Sequence, residues 1–283
     1  MAEIINGKIV SADLKEKIKK SVDNFVSEYG VVPGLAVILV GNDPASKIYV
    51  RNKHNACVAA GIKSFEIIMN EDVSEDELLD KIDELNKSSD VHGILVQLPL
   101  PKHISEDKII AAISPSKDVD AFHPFNVGGI MTGKYSFLPC TPSGVMSLLD
   151  YYKIDVSGKN CVVIGRSNIV GKPMAMLLLE RNGTVSICHS RTQNLSSYTK
   201  NADILVVAVG KANFIKGDMI KDGAVVVDVG INRLEDGKVV GDVEFDSASK
   251  VASYITPVPG GVGPMTISTL LQNTLTAAKL SVI

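Results

Sequence analysis

NCVVIGRSNIVGKPMAMLLLE, residues 160–180, has the pattern of a buried strand, a glycine-containing turn and a helix. Gly165 and Gly171 bracket five residues at the turn. A tight turn after a strand, followed by a helix N-terminus with free N–H groups, suits the binding of a phosphate group. The middle glycine of the dinucleotide pattern G-x-G-x-x-G is absent, so a plain tight turn between strand and helix is an equal alternative.

The next predicted strand bears on which dinucleotide would bind. Dinucleotide folds usually place an acidic residue about 20 residues after the glycine loop, where it binds the ribose 2′-hydroxyl. Here the corresponding segment, residues 189–192, reads His-Ser-Arg-Thr and contains no acid. Ser190 and Arg191, together with Arg166, would suit a 2′-phosphate, which favours NADP over NAD. Solvated surface arginines would give the same pattern.

Alternating patterns on both sides of this segment predict the fold class. Apolar runs such as GLAVILVG (34–41) and GILVQLPLP (93–101) alternate with helical patterns, and the alternation resumes from residue 158 onward. Continuously apolar strands between helices predict parallel sheets covered on both faces, hence an α/β fold. A length of 283 residues favours two domains, and the Gly/Pro-rich stretch 114–142 is the predicted connection.

Local signals predict several helix ends. Ser11 is a candidate cap for a first helix that stops at Gly30. A second helix is predicted from about residue 45 to residue 60, with Gly61 as its stop. Ser74 and Glu77 have the spacing of a capping box for a third helix.

The composition excludes several classes of protein. Lysine and arginine number 29 against 32 acidic residues, a net charge of −3, so nucleic acid is an unfavourable partner. The four cysteines are far apart, which predicts neither disulfides nor a metal site, and Cys161 and Cys188 are expected to be buried. No apolar run approaches the ~18 residues of a membrane span, and the start does not resemble a signal peptide. We therefore expect a soluble, cytoplasmic protein without a membrane partner.

A lysine on an apolar helix face is the first catalytic candidate. Tyr49 and Lys53 are four residues apart and share a face with Ala56, Cys57 and Ala60. Partial burial disfavours a charged ammonium group, so a lysine there could transfer a proton near neutral pH. A lysine that extends along its stem to water is the alternative. The Y-x-x-x-K spacing also occurs in short-chain dehydrogenases, but after the nucleotide-binding strands, whereas Lys53 lies well before the glycine loop.

Three further positions could complete a site. Gln97 ends a predicted parallel strand, where ligands usually bind. Asp120, in the loop KDVDAFHP, could accept paired N–H donors from a heterocycle, and PGGVGP (259–264) would let backbone approach a flat ligand. A strand-end hydrogen bond, an Asx-turn and an irregular loop are the respective alternatives.

Segments over nearly the whole chain carry a family resemblance. They are PGLAVILVGNDPASKIYVRNK (33–53), GILVQLPLP (93–101), KDVDAFHPFNVG (117–128), PCTPSG (139–144), GRSNIVGKP (165–173), VAVGK (207–211), VDVGIN (227–232), GDVEF (241–245) and TPVPGGVGPMT (256–266). In this order they resemble the bifunctional methylenetetrahydrofolate dehydrogenase/cyclohydrolase family, the FolD-type enzymes. The resemblance implies an α/β folate-binding catalytic domain (1–139 plus 264–283), a Rossmann-like NADP-binding domain with a parallel sheet (140–263), and a homodimer.

The resemblance also implies a chemistry and roles for residues. The family transfers hydride from 5,10-methylenetetrahydrofolate to NADP+ and hydrolyses the methenyl product to 10-formyltetrahydrofolate. By similarity Lys53 is the central catalytic group, Tyr49 stacks on the folate, Gln97 bonds Lys53, and Asp120 anchors the pterin. The implied cofactor contacts are Gly165, Arg166, Ser167, Ser190 and Ile231, and the implied folate neighbours are Pro259 and Gly260.

One departure and two alternatives accompany this hypothesis. The family usually has glycine after the pterin-binding aspartate, where this chain has Ala121, and a methyl group there is expected to shift the loop. A shikimate-dehydrogenase-like enzyme would have a similar two-domain architecture and an active-site lysine. A catalytically silent NADP- or folate-binding protein is the other alternative, although Lys53 and Gln97 are both present.

Overall fold

The structure is a computed structural model that describes residues 1–282, the side chain of residue 45 excepted. The strands are β1 (Glu3–Ile4), β2 (Gly34–Val40), β3 (Lys63–Met69), β4 (Gly93–Val96), β5 (Asn160–Ile164), β6 (Thr184–Cys188), β7 (Ile204–Val207), β8 (Val225–Asp228), β9 (Asn232–Arg233), β10 (Val239–Val240) and β11 (Tyr254–Ile255). The helices are α1 (Gly7–Tyr29), α2 (Pro44–Ala60), α3 (Glu75–Lys87), α4 (Glu106–Ala112), α5 (Pro124–Thr132), α6 (Cys140–Tyr151), α7 (Gly171–Glu180), α8 (Leu195–Thr199), α9 (Phe245–Val251) and α10 (Gly263–Leu280). Within the described residues, no helix has the length and apolar character needed to cross a membrane.

Two compact units divide the chain. The first unit comprises residues 13–138 together with the chain from Ile267 onward, and the second unit comprises residues 1–12 and 139–266. The predicted division differs from these units at the N-terminus, because β1 pairs with β11 and so joins the second unit. The chain from Ile267 onward lies in the first unit, where the predicted segment begins at residue 264, and Ile283 lies outside the described residues.

The first unit contains a three-stranded parallel sheet in the order β3-β2-β4. Every residue of the central strand β2 is buried, which explains its continuously apolar sequence. The apolar stripe of α3 packs on this sheet through Leu78 and Ile82, both 0% exposed. The predicted capping box is confirmed, since Ser74 and Glu77 exchange hydrogen bonds at the start of α3.

The second unit contains a six-stranded parallel sheet in the order β1-β11-β8-β7-β5-β6. Ile164 lies opposite Cys188 on one side and Val207 on the other, so the carboxyl ends of β5, β6 and β7 lie side by side. Cys161 and Cys188 are each 1% exposed, as their apolar surroundings predict. The α/β fold with parallel sheets is thus confirmed in both units.

The first helix begins earlier than predicted. Ser11 lies inside α1, where its hydroxyl donates to the carbonyl of Pro264 at 3.0 Å, and it does not cap the helix. Asn6 takes that place, because its Oδ1 accepts the N–H groups of Lys8 (3.1 Å) and Ile9 (3.4 Å). The predicted stop at Gly30 is confirmed, with φ +68° just after the helix.

The predicted connection between the halves contains a helix of its own. Helix α5 lies within the stretch 114–142, beginning at Pro124 after a cap by His123 and ending before Gly133 in the left-handed conformation. Its two internal glycines lower its helix propensity, so the sequence predicts a connecting loop there. The strand predicted over 93–101 is also shorter in the structure. Strand β4 ends at Val96, so Gln97, Leu98 and Pro99 lie outside it.

A neutral histidine joins two strands at the start of the first sheet. His92 is 5% exposed, its N–H donates to the carbonyl of Gly34 (2.8 Å), and its Nδ1 accepts the N–H of Gly34 (3.0 Å). Burial lowers the pKa of His92, and the charge of Lys117 lowers it further, against a smaller opposing effect of Asp90. Protonation of Nδ1 would remove the acceptor that the Gly34 N–H needs.

This histidine predicts a pH dependence of stability. Since the folded-state pKa lies below the ordinary value, the unfolded chain binds the proton more readily, and stability is lost as pH falls below about 6.5. His92→Asn keeps an acceptor in place of Nδ1 and should reduce the fall in unfolding free energy between about pH 6.5 and 5. Urea unfolding across this range measures it, with His103→Asn as the control for an exposed histidine. An unchanged pH slope in His92→Asn would contradict the prediction.

Candidate active site

Lys53 and Gln97 meet in the first unit. Lys53 lies within α2, and its Nζ donates a 2.9 Å hydrogen bond to Oε1 of Gln97. Gln97 directly follows β4, and its N–H donates to the carbonyl of Ile38 on β2 at 2.8 Å. Both side chains are half-buried. The pair therefore stands at the carboxyl edge of a parallel sheet, where ligands of α/β proteins bind.

The orientation of the Gln97 amide is fixed by the neighbouring backbone. Its Nε2 donates to the carbonyl of Leu98 at 2.8 Å, which leaves Oε1 facing Lys53. An amide oxygen accepts but cannot donate, so the partner of Lys53 is a neutral acceptor held in one place.

The predicted apolar face of α2 is confirmed. Ala56, Cys57 and Ala60 are 9%, 0% and 3% exposed. Burial raises the pKa of the Cys57 thiol to about 12, against a smaller lowering by the charge of Lys53. Cys57 is therefore a protonated core side chain and not a nucleophile. Tyr49, one turn before Lys53, is 44% exposed.

Asp120 lies in a loop shaped by another carboxylate, Asp118. Asp118 is 2% exposed and accepts the N–H groups of Phe122 (3.2 Å) and His123 (2.8 Å) and Nδ2 of Asn126 (2.8 Å). Burial raises the pKa of Asp118, the three hydrogen bonds oppose this, and the charge of Asp120 adds to it. Asp118 belongs to the quoted loop KDVDAFHP, yet sequence reasoning selected only Asp120.

Ala121, the departure from the family pattern, has the backbone conformation that favours glycine. Its φ is +56°, its side chain is fully buried, and its N–H donates to the carbonyl of Asp118 at 3.0 Å. A left-handed conformation costs an L-residue roughly 1–2 kcal/mol. The loop thus keeps a turn suited to glycine and places the extra methyl group in the interior.

The C-terminal helix supports the same loop. Nδ2 of Asn273 on α10 donates to the carbonyls of Val119 (2.8 Å) and Leu138 (2.9 Å). Residues far apart in sequence therefore hold the segment that carries Asp120.

In the second unit the predicted cofactor residues gather at the carboxyl edge of the sheet. Gly165, Arg166 and Ser167 follow β5, Ser190 and Arg191 follow β6, and Ile231 follows β8. The chain passes from β5 to β6 on one side and then returns to β7 on the other side of β5. Such a reversal of strand order is the place where open α/β sheets bind dinucleotides.

Close packing explains both glycines of the loop. Gly165 has φ +132°, and a Cβ on it would lie 2.3 Å from the carbonyl oxygen of Ala208, just after β7. A Cβ on Gly171 would lie 2.3 Å from the carbonyl oxygen of Gly165. The start of α7 is thus pressed onto the end of β5, and these two contacts form a cradle that only glycine fits.

Ser167 occupies the position of the missing middle glycine. Its hydroxyl accepts the N–H groups of Val170 (3.2 Å) and Gly171 (3.3 Å). These two N–H groups, expected to be free for a phosphate, are therefore already capped from within the loop.

The segment after β6 forms a tight turn that exposes both candidate side chains. The N–H of His189 donates to the hydroxyl of Thr192 (2.8 Å), and the N–H of Arg191 donates to Nδ1 of His189 (3.1 Å). Ser190, Arg191 and Arg166 are all exposed. No acidic side chain stands in this turn, in keeping with the sequence.

The remaining predicted residues also belong to the second unit. Pro259 and Gly260 follow β11, and Gly260 has φ +109° with the Lys8 side chain 3.3 Å from where its Cβ would lie. Ile231 is 53% exposed. The structure thus brings Lys53 and Gln97 into contact with each other. Tyr49 lies on the same helix as Lys53, and Pro259 and Gly260 lie in the unit that carries the glycine loop.

Comparison with known proteins decides the family. A model described as tetrahydrofolate dehydrogenase/cyclohydrolase, catalytic domain, matches residues 5–120, and the corresponding NAD(P)-binding domain matches residues 139–282. The chain belongs to the tetrahydrofolate dehydrogenase/cyclohydrolase family. The resemblance drawn from the sequence is confirmed.

Similar proteins and solved structures align with nearly the whole chain. The bifunctional protein FolD of Acetivibrio thermocellus is 63% identical over 279 residues, covering 99% of this chain and 98% of that protein. The FolD methylenetetrahydrofolate dehydrogenase/cyclohydrolase structure from Campylobacter jejuni has a TM-score of 0.97 at 55% identity, over 99% of this chain and 100% of that one. The Trypanosoma brucei FolD structure, complexed with NADP cofactor and an inhibitor, has a TM-score of 0.96 at 39% identity, over 99% and 98%.

The alternative of a shikimate-dehydrogenase-like enzyme is not favoured. Shikimate 5-dehydrogenase from Thermus thermophilus has a TM-score of 0.54 at 14% identity, covering 87% of this chain and 99% of that one. A likeness at this level reflects a shared fold only.

Two buried carboxylates, Asp228 in the family's VDVGIN segment and Asp242 in its GDVEF segment, were missed by sequence reasoning. Asp228 is 3% exposed and accepts the N–H groups of Gly230 (2.9 Å), Asp242 (3.0 Å) and Val243 (2.8 Å). Burial raises the pKa of Asp228 to about 6, against the lowering by these three hydrogen bonds. An acid at the end of the otherwise apolar strand AVVVD was the available signal. Among the described residues, no cluster of His, Cys, Asp and Glu is suited to hold a metal ion.

Proposed function

We propose that this protein oxidises 5,10-methylenetetrahydrofolate to 5,10-methenyltetrahydrofolate with NADP+ and then hydrolyses the product to 10-formyltetrahydrofolate. The observation that carries the proposal is the 2.9 Å hydrogen bond between Lys53 Nζ and Gln97 Oε1, within the region that matches the family's catalytic domain. The dehydrogenase/cyclohydrolase relatives match both halves of the chain, which supports a bifunctional enzyme.

NADP fits the second unit on structural grounds. The cradle formed by Gly165 and Gly171 has room for backbone only, and it lies at the switch point of the sheet. Arg166 and Ser167 lie on this loop, Ser190 and Arg191 are exposed on the acid-free turn for a 2′-phosphate, and Ile231 offers an exposed apolar surface. When bound, NADP+ supplies the acceptor for a hydride.

The first step removes a hydride from the one-carbon bridge of the substrate. The C–H bond of the methylene group breaks, its electron pair leaves with the hydride, and the carbon between N5 and N10 becomes the methenyl cation. Tyr49 and Asp120 are the proposed folate contacts of the first unit, with the tyrosine ring stacking on the folate and the carboxylate accepting N–H groups of the pterin.

The second step adds water to the methenyl carbon. The water oxygen bonds to the carbon and loses both of its protons in turn, the bond from carbon to N5 breaks as N5 takes up one proton, and the formyl group stays on N10. One proton is released overall. Lys53 is the proposed group that accepts and returns protons in this sequence. An amine in this position can take up a proton that the water loses and pass one to N5.

Gln97 is suited to this role because it is an amide. Its oxygen positions Nζ of Lys53 through one hydrogen bond and brings no charge. A carboxylate in the same position would stabilise the ammonium form and oppose proton release. The backbone carbonyl of Leu98 keeps the amide turned the right way.

Assays of both half-reactions test the proposal, and Lys53→Met separates them. The purified protein should form NADPH from NADP+ with methylenetetrahydrofolate and not with shikimate; the reverse result would overturn the folate assignment.

In Lys53→Met, methenyl hydrolysis should fall by roughly 10²–10⁴-fold, the usual contribution of a general acid–base group, while NADP+ still binds. Wild-type hydrolysis in this variant would remove the lysine from the mechanism. NADP+ binding without turnover by the native protein would identify a silent binding protein.

Cofactor preference has its own test in the variant Ser190→Ala/Arg191→Ala. Loss of charge-assisted hydrogen bonds to a 2′-phosphate should weaken NADP+ binding by roughly ten- to a hundredfold and change NAD+ binding little. Titration of both cofactors against the folded variant measures this, with Lys200→Ala as an exposed-lysine control in the same unit. Equal losses for the two cofactors would show that the 2′-phosphate is bound elsewhere.

We also propose a homodimer, on the family resemblance alone. Light scattering of the purified protein should then give a molar mass twice the 30.2 kDa of the chain. A monomer at micromolar concentration would contradict this.

A further inference from the structure

Asp242 is the most completely buried carboxylate of the second unit and contacts two of its loops. It is 0% exposed. Its Oδ2 accepts the N–H groups of Val209 (2.6 Å) and Gly210 (2.9 Å), and its Oδ1 accepts the N–H of Lys211 (2.8 Å) and Nδ2 of Asn232 (2.9 Å). Consecutive backbone N–H groups wrapped around an anion form a nest, which here encloses a side chain of the protein itself.

The first loop held by Asp242 leaves β7 at the switch point of the sheet. Ala208, which precedes the three N–H donors, has its carbonyl oxygen 2.3 Å from where a Cβ on Gly165 would lie. The exit of β7 therefore forms one wall of the cradle around the glycine loop. Because its N–H groups are occupied by Asp242, this loop contributes shape to a ligand site and not hydrogen-bond donors.

The second loop held by Asp242 carries the exposed Ile231. Gly230 before it donates to Asp228, and Asn232 after it donates to Asp242. A Cβ on Gly230 would lie 2.2 Å from the Asp242 carboxyl group, so the loop is pressed directly onto this side chain. Both neighbours of Ile231 are thereby fixed.

Asp228 is a second buried carboxylate in contact with this segment. It accepts the N–H of Asp242 itself, and a Cβ on Gly241 would lie 1.9 Å from its Oδ2. The segment 229–241 thus runs between two buried carboxylates. Asp242 lies against Gly230, two residues after Asp228, and Asp228 lies against Gly241, which directly precedes Asp242.

We propose that Asp242 is a positioning residue for the dinucleotide, which holds the loops after β7 and β8 in the shape that receives it. The inference rests on the proposed NADP site. It is distinct from the contacts assigned to Ser190 and Arg191, because Asp242 acts on loops on the other side of β5. Its effect is therefore common to NADP+ and NAD+.

Asp242→Asn tests the proposal. An amide can accept through one oxygen only, so in either orientation its NH2 group faces two N–H donors, and the nest opens. Affinity for NADP+ and for NAD+ should fall together by roughly ten- to a hundredfold, because displaced loops lose packing contacts with the dinucleotide. Methenyl hydrolysis, which uses no cofactor, should stay near the wild-type rate. The dehydrogenase loss should appear in KM for NADP+.

Asp203→Asn is the matched control. Asp203 directly precedes the same strand β7 at its amino end, where it accepts the N–H of Asn160 (2.8 Å) and pairs with Lys221 (2.6 Å). The same substitution there should lower stability in thermal unfolding and leave cofactor affinity unchanged. Equal affinity losses in the two variants would reduce the role of Asp242 to general stability and overturn the proposal.

Other outcomes separate this inference from the function on which it rests. A folded Asp242→Asn variant with wild-type affinity, or one that loses NADP+ and retains NAD+, would refute the positioning role alone. Failure of the native protein to bind NADP+ would refute the proposed function. If Asp242→Asn does not fold, Asn232→Ala removes only one of the four hydrogen bonds and should weaken both cofactors about equally; unchanged binding in that variant would then count against the proposal.

Discussion

A carboxylate removed from water must be surrounded by hydrogen-bond donors, and in this protein most of those donors are backbone N–H groups of the loops at the ends of strands. Asp118 orders the loop of Asp120 in the first unit, and Asp228 and Asp242 order the loops after β7 and β8 in the second unit. Burying these carboxylates costs free energy. Hydrogen bonds from the backbone N–H groups offset that cost only when each loop adopts one conformation. Each buried carboxylate thus constrains the shape of a loop. The candidate site residues Asp120 and Ile231 are positioned because they lie in these loops.

The proposed catalytic pair, Lys53 and Gln97, has the opposite requirement. Lys53 has to change its charge during the proposed hydrolysis, so a buried carboxylate beside it would hold it in one state. A glutamine fixed by the carbonyl of Leu98 gives the same geometric precision without that charge. The chain therefore has aspartate where a loop is held fixed and an amide beside the lysine that is proposed to transfer protons.

Elements that depend on local sequence could be predicted, and those that depend on pairing across the chain could not. The capping box at Ser74 and the buried face behind Lys53 follow from spacing alone, and both are confirmed. The pairing of β1 with β11 depends on a strand of only two residues whose partner lies about 250 positions away, a register that no local pattern encodes. Asp118 and Asp242 were missed for the same reason, since an aspartate in a loop has an identical local signature whether it faces solvent or collects N–H groups from distant residues.

Ser167 stands where the dinucleotide motif G-x-G-x-x-G has its middle glycine. In G-x-G-x-x-G loops the second glycine lets a phosphate approach the helix N-terminus directly. Ser167 stands in that position, and its hydroxyl oxygen accepts the N–H groups of Val170 and Gly171. A hydroxyl that accepts two hydrogen bonds still has its own proton to donate, and the positive end of α7 polarises it. The helix N-terminus is thereby extended outward by one hydroxyl group, so an anion can be bound through Ser167 at a greater distance from the helix than in a glycine loop.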